Sequence, residues 1–166
     1  AEVEIFGMYD RTPLMQAAMR GHEQIVELLI NHGASINARD KYGNTALLLA
    51  VIEGKNVTVE SLLQKGANVD ISDEYNRTPL MEATVHGHVQ IVEQLVNHGA
   101  SVNARNKNGH TALTIAASNG NINIVDLLIQ HMFYNPKDIT TIIWKAGYGK
   151  MEAIDCLINN GFINSQ

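Results

Sequence analysis

Seven histidines and one cysteine are the side chains in this 166-residue chain best suited to metal binding or nucleophilic catalysis. His86 and His88 form an H-x-H pair, but no third ligand follows at a spacing typical of zinc sites. His32 and His98 each lie in the sequence NHG, which is typical of a solvated helix end. Structural or surface roles are therefore favoured for these residues and for Cys156, and a metal site is the weaker alternative.

Sequence motifs of known catalytic centres are also missing. The chain has no G-x-S-x-G, no glycine-rich phosphate-binding loop and no H-E-x-x-H. We therefore expect no catalytic residues, no metal and no cofactor, and a catalytic domain is the least favoured class of function.

Composition further narrows the possible classes of function. Hydrophobic residues make up 45% of the chain and charged residues 17%, which indicates a globular protein. No apolar run reaches the roughly 18 residues that a membrane span needs, and the formal net charge of -5 disfavours nucleic-acid binding. A single cysteine excludes a disulfide within the chain. With no visible signal peptide, it favours a cytoplasmic or nuclear protein.

The elements that position these residues recur every 33 residues. Six positions hold the same residue in four successive units. The columns are Thr12, Thr45, Thr78 and Thr111; Leu14, Leu47, Leu80 and Leu113; Ala17, Ala50, Ala83 and Ala116; Gly21, Gly54, Gly87 and Gly120; Val26, Val59, Val92 and Val125; Leu29, Leu62, Leu95 and Leu128. Such regularity predicts stacked copies of one structural unit.

Each unit is predicted to contain two helices and a loop. Thr12 is a favoured N-cap, and Pro13 suits the first position of a helix. The second helix, EQIVELLINHG, carries an apolar stripe at helical spacing and ends at Gly33. The following ASINARDKYGN contains turn residues and predicts an extended arm with a hairpin-like loop.

The 33-residue period with TPL, GH, IV and GA resembles the ankyrin repeat, strongly over residues 8–131 and weakly over 132–166. The resemblance implies an all-α, elongated and curved solenoid forming one domain, 1–166. The repeats would span about 7–39, 40–72, 73–105 and 106–134, with a degenerate capping repeat at 135–166. It also implies a structural role for His22 and His88, and binding of another protein through hairpin tips and the concave face of the first helices.

Two columns that depart from the repeated pattern are candidate binding positions. Tyr9, Tyr42 and Tyr75 recur at the loop tip, where Asn108 replaces them in the fourth unit. Tyrosine is enriched at interfaces, so the rings are predicted to contact a partner. The alternative is that they pack on neighbouring loops and stiffen the array.

The second column lies on the first helix. Met15, Leu48 and Met81 precede Met19, Ile52 and Val85 by four residues, so each pair shares a helix face. A half-buried core position is favoured for the earlier residue of each pair, with partner contact as the alternative, whereas partner contact is favoured for the later one. The complete predicted surface comprises Tyr9, Arg11, Met19, Arg20, Lys41, Tyr42, Asn44, Leu48, Ile52, Glu53, Glu74, Tyr75, Arg77, Met81, Val85 and His86.

The favoured function is a non-enzymatic protein-binding module that acts as an adaptor, scaffold or inhibitor. Two alternatives remain open: the recognition part of a larger multidomain protein or enzyme, and a sensor of a small ligand or nucleotide. The array is either a fragment of a longer one or a stack with its own caps.

The segment HMFYNPKDITTIIW, residues 131–144, breaks the 33-residue register. Four residues are missing before Gly149, and Pro136 interrupts the chain. We predict a helical pair at 138–160 with no hairpin before it, and Trp144 in its core. Cα chemical shifts of the full chain should be helical over 138–160, whereas a full-length tip loop at 132–138 would contradict this.

Overall fold

Four helices begin directly after a threonine that caps them: Thr12, Thr45, Thr78 and Thr111. Each threonine has an extended backbone, and its hydroxyl oxygen accepts a hydrogen bond from the backbone N–H three residues later. Pro13 and Pro79 occupy the first helical position, where the missing N–H leaves no helical hydrogen bond unmade. The predicted helix starts are confirmed.

The computed structural model of the chain describes residues 8–131. A short 3-10 turn at Met8–Asp10 precedes four helical pairs. The pairs are α1 (Pro13–Arg20) with α2 (Glu23–Asn31), α3 (Ala46–Ile52) with α4 (Asn56–Gln64), α5 (Pro79–Val85) with α6 (Val89–Asn97), and α7 (Ala112–Asn119) with α8 (Ile122–His131). No β-strand occurs within these residues, so the predicted all-α class is confirmed.

The helices form two layers. The first helices α1, α3, α5 and α7 pack successively against one another, as do the second helices α2, α4, α6 and α8. We call these the first-helix layer and the second-helix layer. A hairpin-like loop joins each pair to the next and leads directly into the following first helix.

The core between the layers is shared by neighbouring units. Leu62, Leu95 and Leu128 are fully buried, whereas Leu29, their equivalent in the first unit, is only partly buried. Ile25 is 48% exposed, because α2 packs on a second-layer helix on one side only among the described residues. Burial therefore depends on the next unit in the stack.

A glycine ends each of the first three second helices because the chain must turn there. Gly66 has a φ of +89°, a left-handed conformation that favours glycine. The space around it is open, so the backbone angle alone selects the residue. Gly33 and Gly99 adopt the same conformation, which confirms the predicted helix ends.

Three predictions lie outside the described residues: the capping repeat at 135–166, the helical pair at 138–160 and the core position of Trp144. The division of 1–166 into five repeats stays a prediction. No helix in the described part of the chain is both long and apolar enough to span a membrane.

Removal of one N-cap should destabilise the whole stack. The Thr45 hydroxyl oxygen is buried and accepts a hydrogen bond of 3.2 Å from Leu48 N. Thr45→Ala should lower the free energy of unfolding by about 1 kcal/mol relative to Thr45→Ser, which loses the same methyl group but keeps the cap. Urea denaturation measures the difference, and equal stability of the two variants would exclude a contribution from the cap.

Candidate functional site

The tip of each hairpin loop is organised by one polar side chain, which is buried in Asp40 and Asp73 and partly buried in Asn106. Asp40 Oδ1 accepts hydrogen bonds of 2.9 Å from the backbone N–H groups of Tyr42 and Asn44. Asp73 and Asn106 make the same two bonds, 33 and 66 residues further along. This Asx turn fixes the tip backbone, so the residue that follows at the tip has a defined position.

Backbone hydrogen bonds join successive tips into one row. In each case the residue before the tip position, which is Tyr42, Tyr75 or Asn108, donates its N–H to the tyrosine carbonyl of the preceding unit. The bonds, each 3.1 Å, run from Lys41 to Tyr9, from Glu74 to Tyr42 and from Lys107 to Tyr75. We call the set Tyr9, Lys41, Tyr42, Glu74, Tyr75 and Lys107 the tip row. Its side chains are held in a fixed order by the main chain.

At one end of the tip row, a lysine lies between two tyrosines. Lys41 Nζ is 4.6 Å from the ring centroid of Tyr9 and 4.9 Å from that of Tyr42. The two ring centroids are 5.8 Å apart. The cation is attracted to both rings, which holds the three side chains together.

At the other end, Tyr75 is flanked by two cations. Arg77 Cζ and Lys107 Nζ lie 5.3 and 5.8 Å from its ring centroid. The hydrogen bond with the Glu74 carboxylate, followed by the charge of that group, raises the pKa of Tyr75 above its usual 10.0. Tyr75 is therefore neutral at physiological pH. It is 53% exposed, compared with 45% for Tyr9 and 40% for Tyr42.

We call the predicted apolar positions Met19, Leu48, Ile52, Met81 and Val85 on the first helices the first-helix face. It differs from its prediction at two positions. The side chains of Leu48 and Met81 are only 0% and 1% exposed and cannot contact a partner directly. Their assignment to the binding surface was therefore wrong. Like Met15, they lie on the side of the first helix that faces the interior of the stack. An apolar residue at this helical position is there for packing.

The residues four positions later are partly buried in the first two units and exposed in the third. Met19 is partly buried against the core, and Arg11 Nη1 lies 3.2 Å from its sulfur. Ile52 is also partly buried, whereas Val85 is 47% exposed. The contiguous apolar patch predicted here is therefore open mainly at Val85.

A buried carboxylate lies beside Val85. Glu82 on α5 is 4% exposed and is ion-paired with Arg77 Nη1 at 3.0 Å. Arg77 Nη2 also lies 2.6 Å from Asp73 Oδ2, so one guanidinium connects the tip to the first-helix face. His86 Nε2 is 3.6 Å from Glu82 Oε2, and its ring stacks on His88. A charge as buried as Glu82 needs such a partner.

Comparison with known proteins assigns the family. The family described as ankyrin repeats (3 copies) matches residues 3–73 and 52–138. This chain belongs to the ankyrin repeat family. The curated Ankyrin repeat and KH domain-containing protein mask of Drosophila melanogaster is 58% identical over 38 residues. That match covers 23% of this chain and spans about 1% of the length of the Drosophila protein.

Ankyrin repeats are in general protein–protein interaction modules and typically non-catalytic. Within residues 8–131 no group of three or more His, Cys, Asp or Glu side chains is arranged to hold a metal ion. The His86–His88 pair is accounted for by its stacking and by Glu82.

The remaining residues of the predicted binding surface lie at helix ends or beside the tips. Arg20 and Glu53 are exposed at the ends of α1 and α3. Asn44 donates its side-chain amide to Asp40 Oδ2 at 3.0 Å, and Arg11 Nε lies 3.4 Å from the same oxygen. Asn44 and Arg11 therefore support the tip as well as bordering it.

Four organising residues were missed from the sequence: Asp40, Asp73, Asn106 and Glu82. A signal existed for the first three, because Asp or Asn recurs at 33-residue spacing two positions before the tip residue. Glu82 has no such signal, since Leu49 and Ile115 hold its position in the adjacent units.

Loss of the Asx turn should loosen one tip. Asp73→Ala leaves the N–H groups of Tyr75 and Arg77 without their acceptor and should lower the free energy of unfolding by about 1–2 kcal/mol. Asp73→Asn is the matched control, because Asn106 makes the same turn. Hydrogen exchange at Tyr75 and Arg77 should accelerate in the Ala variant only. Equal exchange rates in both variants would show that the side chain does not organise the tip.

Proposed function

We propose that this chain is a non-enzymatic protein-binding module, acting as an adaptor, scaffold or inhibitor. Its partner would lie along the tip row and the adjoining first-helix face. The observation that carries the proposal is the row of three half-exposed tyrosines joined by backbone hydrogen bonds. Tyrosine combines a large apolar area with a polar hydroxyl and is enriched among the residues that dominate binding energy.

Preorganisation supports the same conclusion. The tip backbone is held by Asx turns and by the bonds between tips, and Lys41 keeps the rings of Tyr9 and Tyr42 together. A partner would therefore order few side chains on binding, which lowers the entropic cost of association.

The first-helix face would provide the rest of the contact. Val85 offers exposed apolar area, bordered by His86 and the partly buried Ile52. Arg20 and Glu53 at the far ends of their helices would form part of a polar rim.

The setting of this module is part of the proposal. The Drosophila relative is named for both ankyrin repeats and a KH domain, which supports the idea that such repeats serve as the recognition part of a larger protein. A single cysteine supports action in the cytoplasm or nucleus.

A selection from random peptides displayed on phage, using the full chain as bait, tests the proposal. Binding of each selected peptide is then measured by fluorescence anisotropy. The double variant Tyr42→Ala/Tyr75→Ala should weaken binding about tenfold or more, because both residues are placed as anchors. Val57→Ala is the control, since Val57 is 61% exposed on α4 in the opposite layer.

Thermal unfolding of the double variant separates binding from stiffening of the array. A selection that yields no peptide, or peptides that bind the double variant unchanged, would remove the tip row as a binding surface. A large loss of thermal stability without loss of binding would favour the packing role instead.

A further inference from the structure

Charge is segregated between the tips and the second-helix layer. The cations of the hairpin segments are Arg11, Arg39, Lys41, Arg77, Arg105 and Lys107. The helices α2, α4, α6 and α8 contain no Lys or Arg but carry Glu23, Glu27, Glu60, Glu93 and Asp126. The hairpin segments also carry five carboxylates, Asp10, Asp40, Asp70, Asp73 and Glu74, so they are close to neutral overall, whereas the second helices carry acidic charge alone. This contrast would orient an acidic partner towards the tips.

The carboxylates within the tips pair with some of these cations and leave others without an ion-pair partner. Asp40 and Asp73 are buried and accept hydrogen bonds from the tip backbone. Asp73 is also paired with Arg77. Among the described residues, neither Lys41 nor Lys107 forms an ion pair with a carboxylate. These two ammonium groups are the cations of the tip row that can bind an external anion.

Both lysines are already positioned by aromatic rings. Lys41 lies against Tyr9 and Tyr42, and Lys107 lies near Tyr75. Lysine normally loses much rotamer freedom on forming an ion pair, and part of that loss has occurred before a ligand arrives.

Glu74 interrupts the positive row. It occupies the same tip position as Lys41 and Lys107, in the unit between them, and is exposed. A ligand with an anion at every step would meet repulsion there. A ligand with separated anions would not, so the pattern fits spaced carboxylates better than a continuous phosphate backbone.

The tyrosine rings disfavour nucleic acid as well. Single-stranded nucleic acid binds by stacking bases on open aromatic faces. Here Lys41 is placed over the rings of Tyr9 and Tyr42, while Arg77 and Lys107 are placed over Tyr75. Ring faces occupied by cations offer poor stacking platforms.

We propose that the tip row recognises an acidic segment of a partner protein, with separate carboxylates bound at Lys41 and Lys107 and a non-acidic residue opposite Glu74. This inference rests on the proposed protein-binding function and specifies the chemistry of the partner. Arg11 and Arg77 contribute to the local field while remaining paired with their own carboxylates.

The test compares charge variants of the full chain against the phage-selected peptides. Asp and Glu should be enriched among peptides selected on the unmodified protein. Lys41→Glu/Lys107→Glu should weaken binding of those peptides about tenfold or more, and Glu74→Lys should strengthen it about fivefold. Affinity should fall as NaCl is raised to about 0.3 M, because exposed charges are screened.

Lys65→Glu is the charge control. Lys65 is exposed at the end of α4, so this variant alters net charge without touching the tips and should leave affinity within about twofold. Circular dichroism and thermal unfolding confirm that each variant is folded. If Lys65→Glu weakened binding as much as Lys41→Glu alone, the effect would be one of net charge in general, and the inference would be overturned.

Three further outcomes would overturn it in distinguishable ways. Peptides that depend on Tyr42 and Tyr75 but lack acidic enrichment would remove the acidic specificity and leave the protein-binding function standing. Random-sequence single-stranded RNA that binds as tightly as the selected peptides at the same salt would favour nucleic acid. Absence of any tip-dependent peptide would remove both proposals.

Discussion

The stacking of each helical pair on the next is the interaction on which the rest of the structure depends. A unit of two short helices cannot bury both of its sides, as Ile25 and the partly buried Leu29 show at the open side of α2. Their equivalents Ile91 and Leu95 are fully buried between units. The same side chain thus contributes to the core only when another unit covers it, so stability is a property of the array.

The arrangement of the tips follows from that stacking. Once the helical pairs are in register, successive loops approach closely enough for a backbone N–H to meet the tyrosine carbonyl of the preceding unit. Asp40 and Asp73 then serve the surface while being buried themselves, because their oxygens hold the tip backbone that carries the tyrosines. The polar groups of this edge are arranged to support exposed side chains.

Arg77 shows how the two parts of the surface are coupled. Its guanidinium pairs with Asp73 in the tip and with Glu82 on α5, and it also lies over the Tyr75 ring. A change at any of these residues would be felt by the others through one shared cation. In the third unit this one cation therefore connects the tip row to the first-helix face.

The sequence alone determined the repeat, its two helices, the threonine caps and the glycine helix ends, because these depend on local backbone chemistry that recurs every 33 residues. It also placed Tyr9, Tyr42 and Tyr75 in one column. It favoured the core for Leu48 and Met81 but still placed them on the predicted surface with Val85, since all are apolar on a first helix and only the neighbouring units decide which side is covered. The contact of Lys41 with the Tyr9 ring was likewise decided by tertiary structure, because it joins residues brought together only when successive units stack. The burial of Glu82 has no signal in the repeat and also became visible only in the fold.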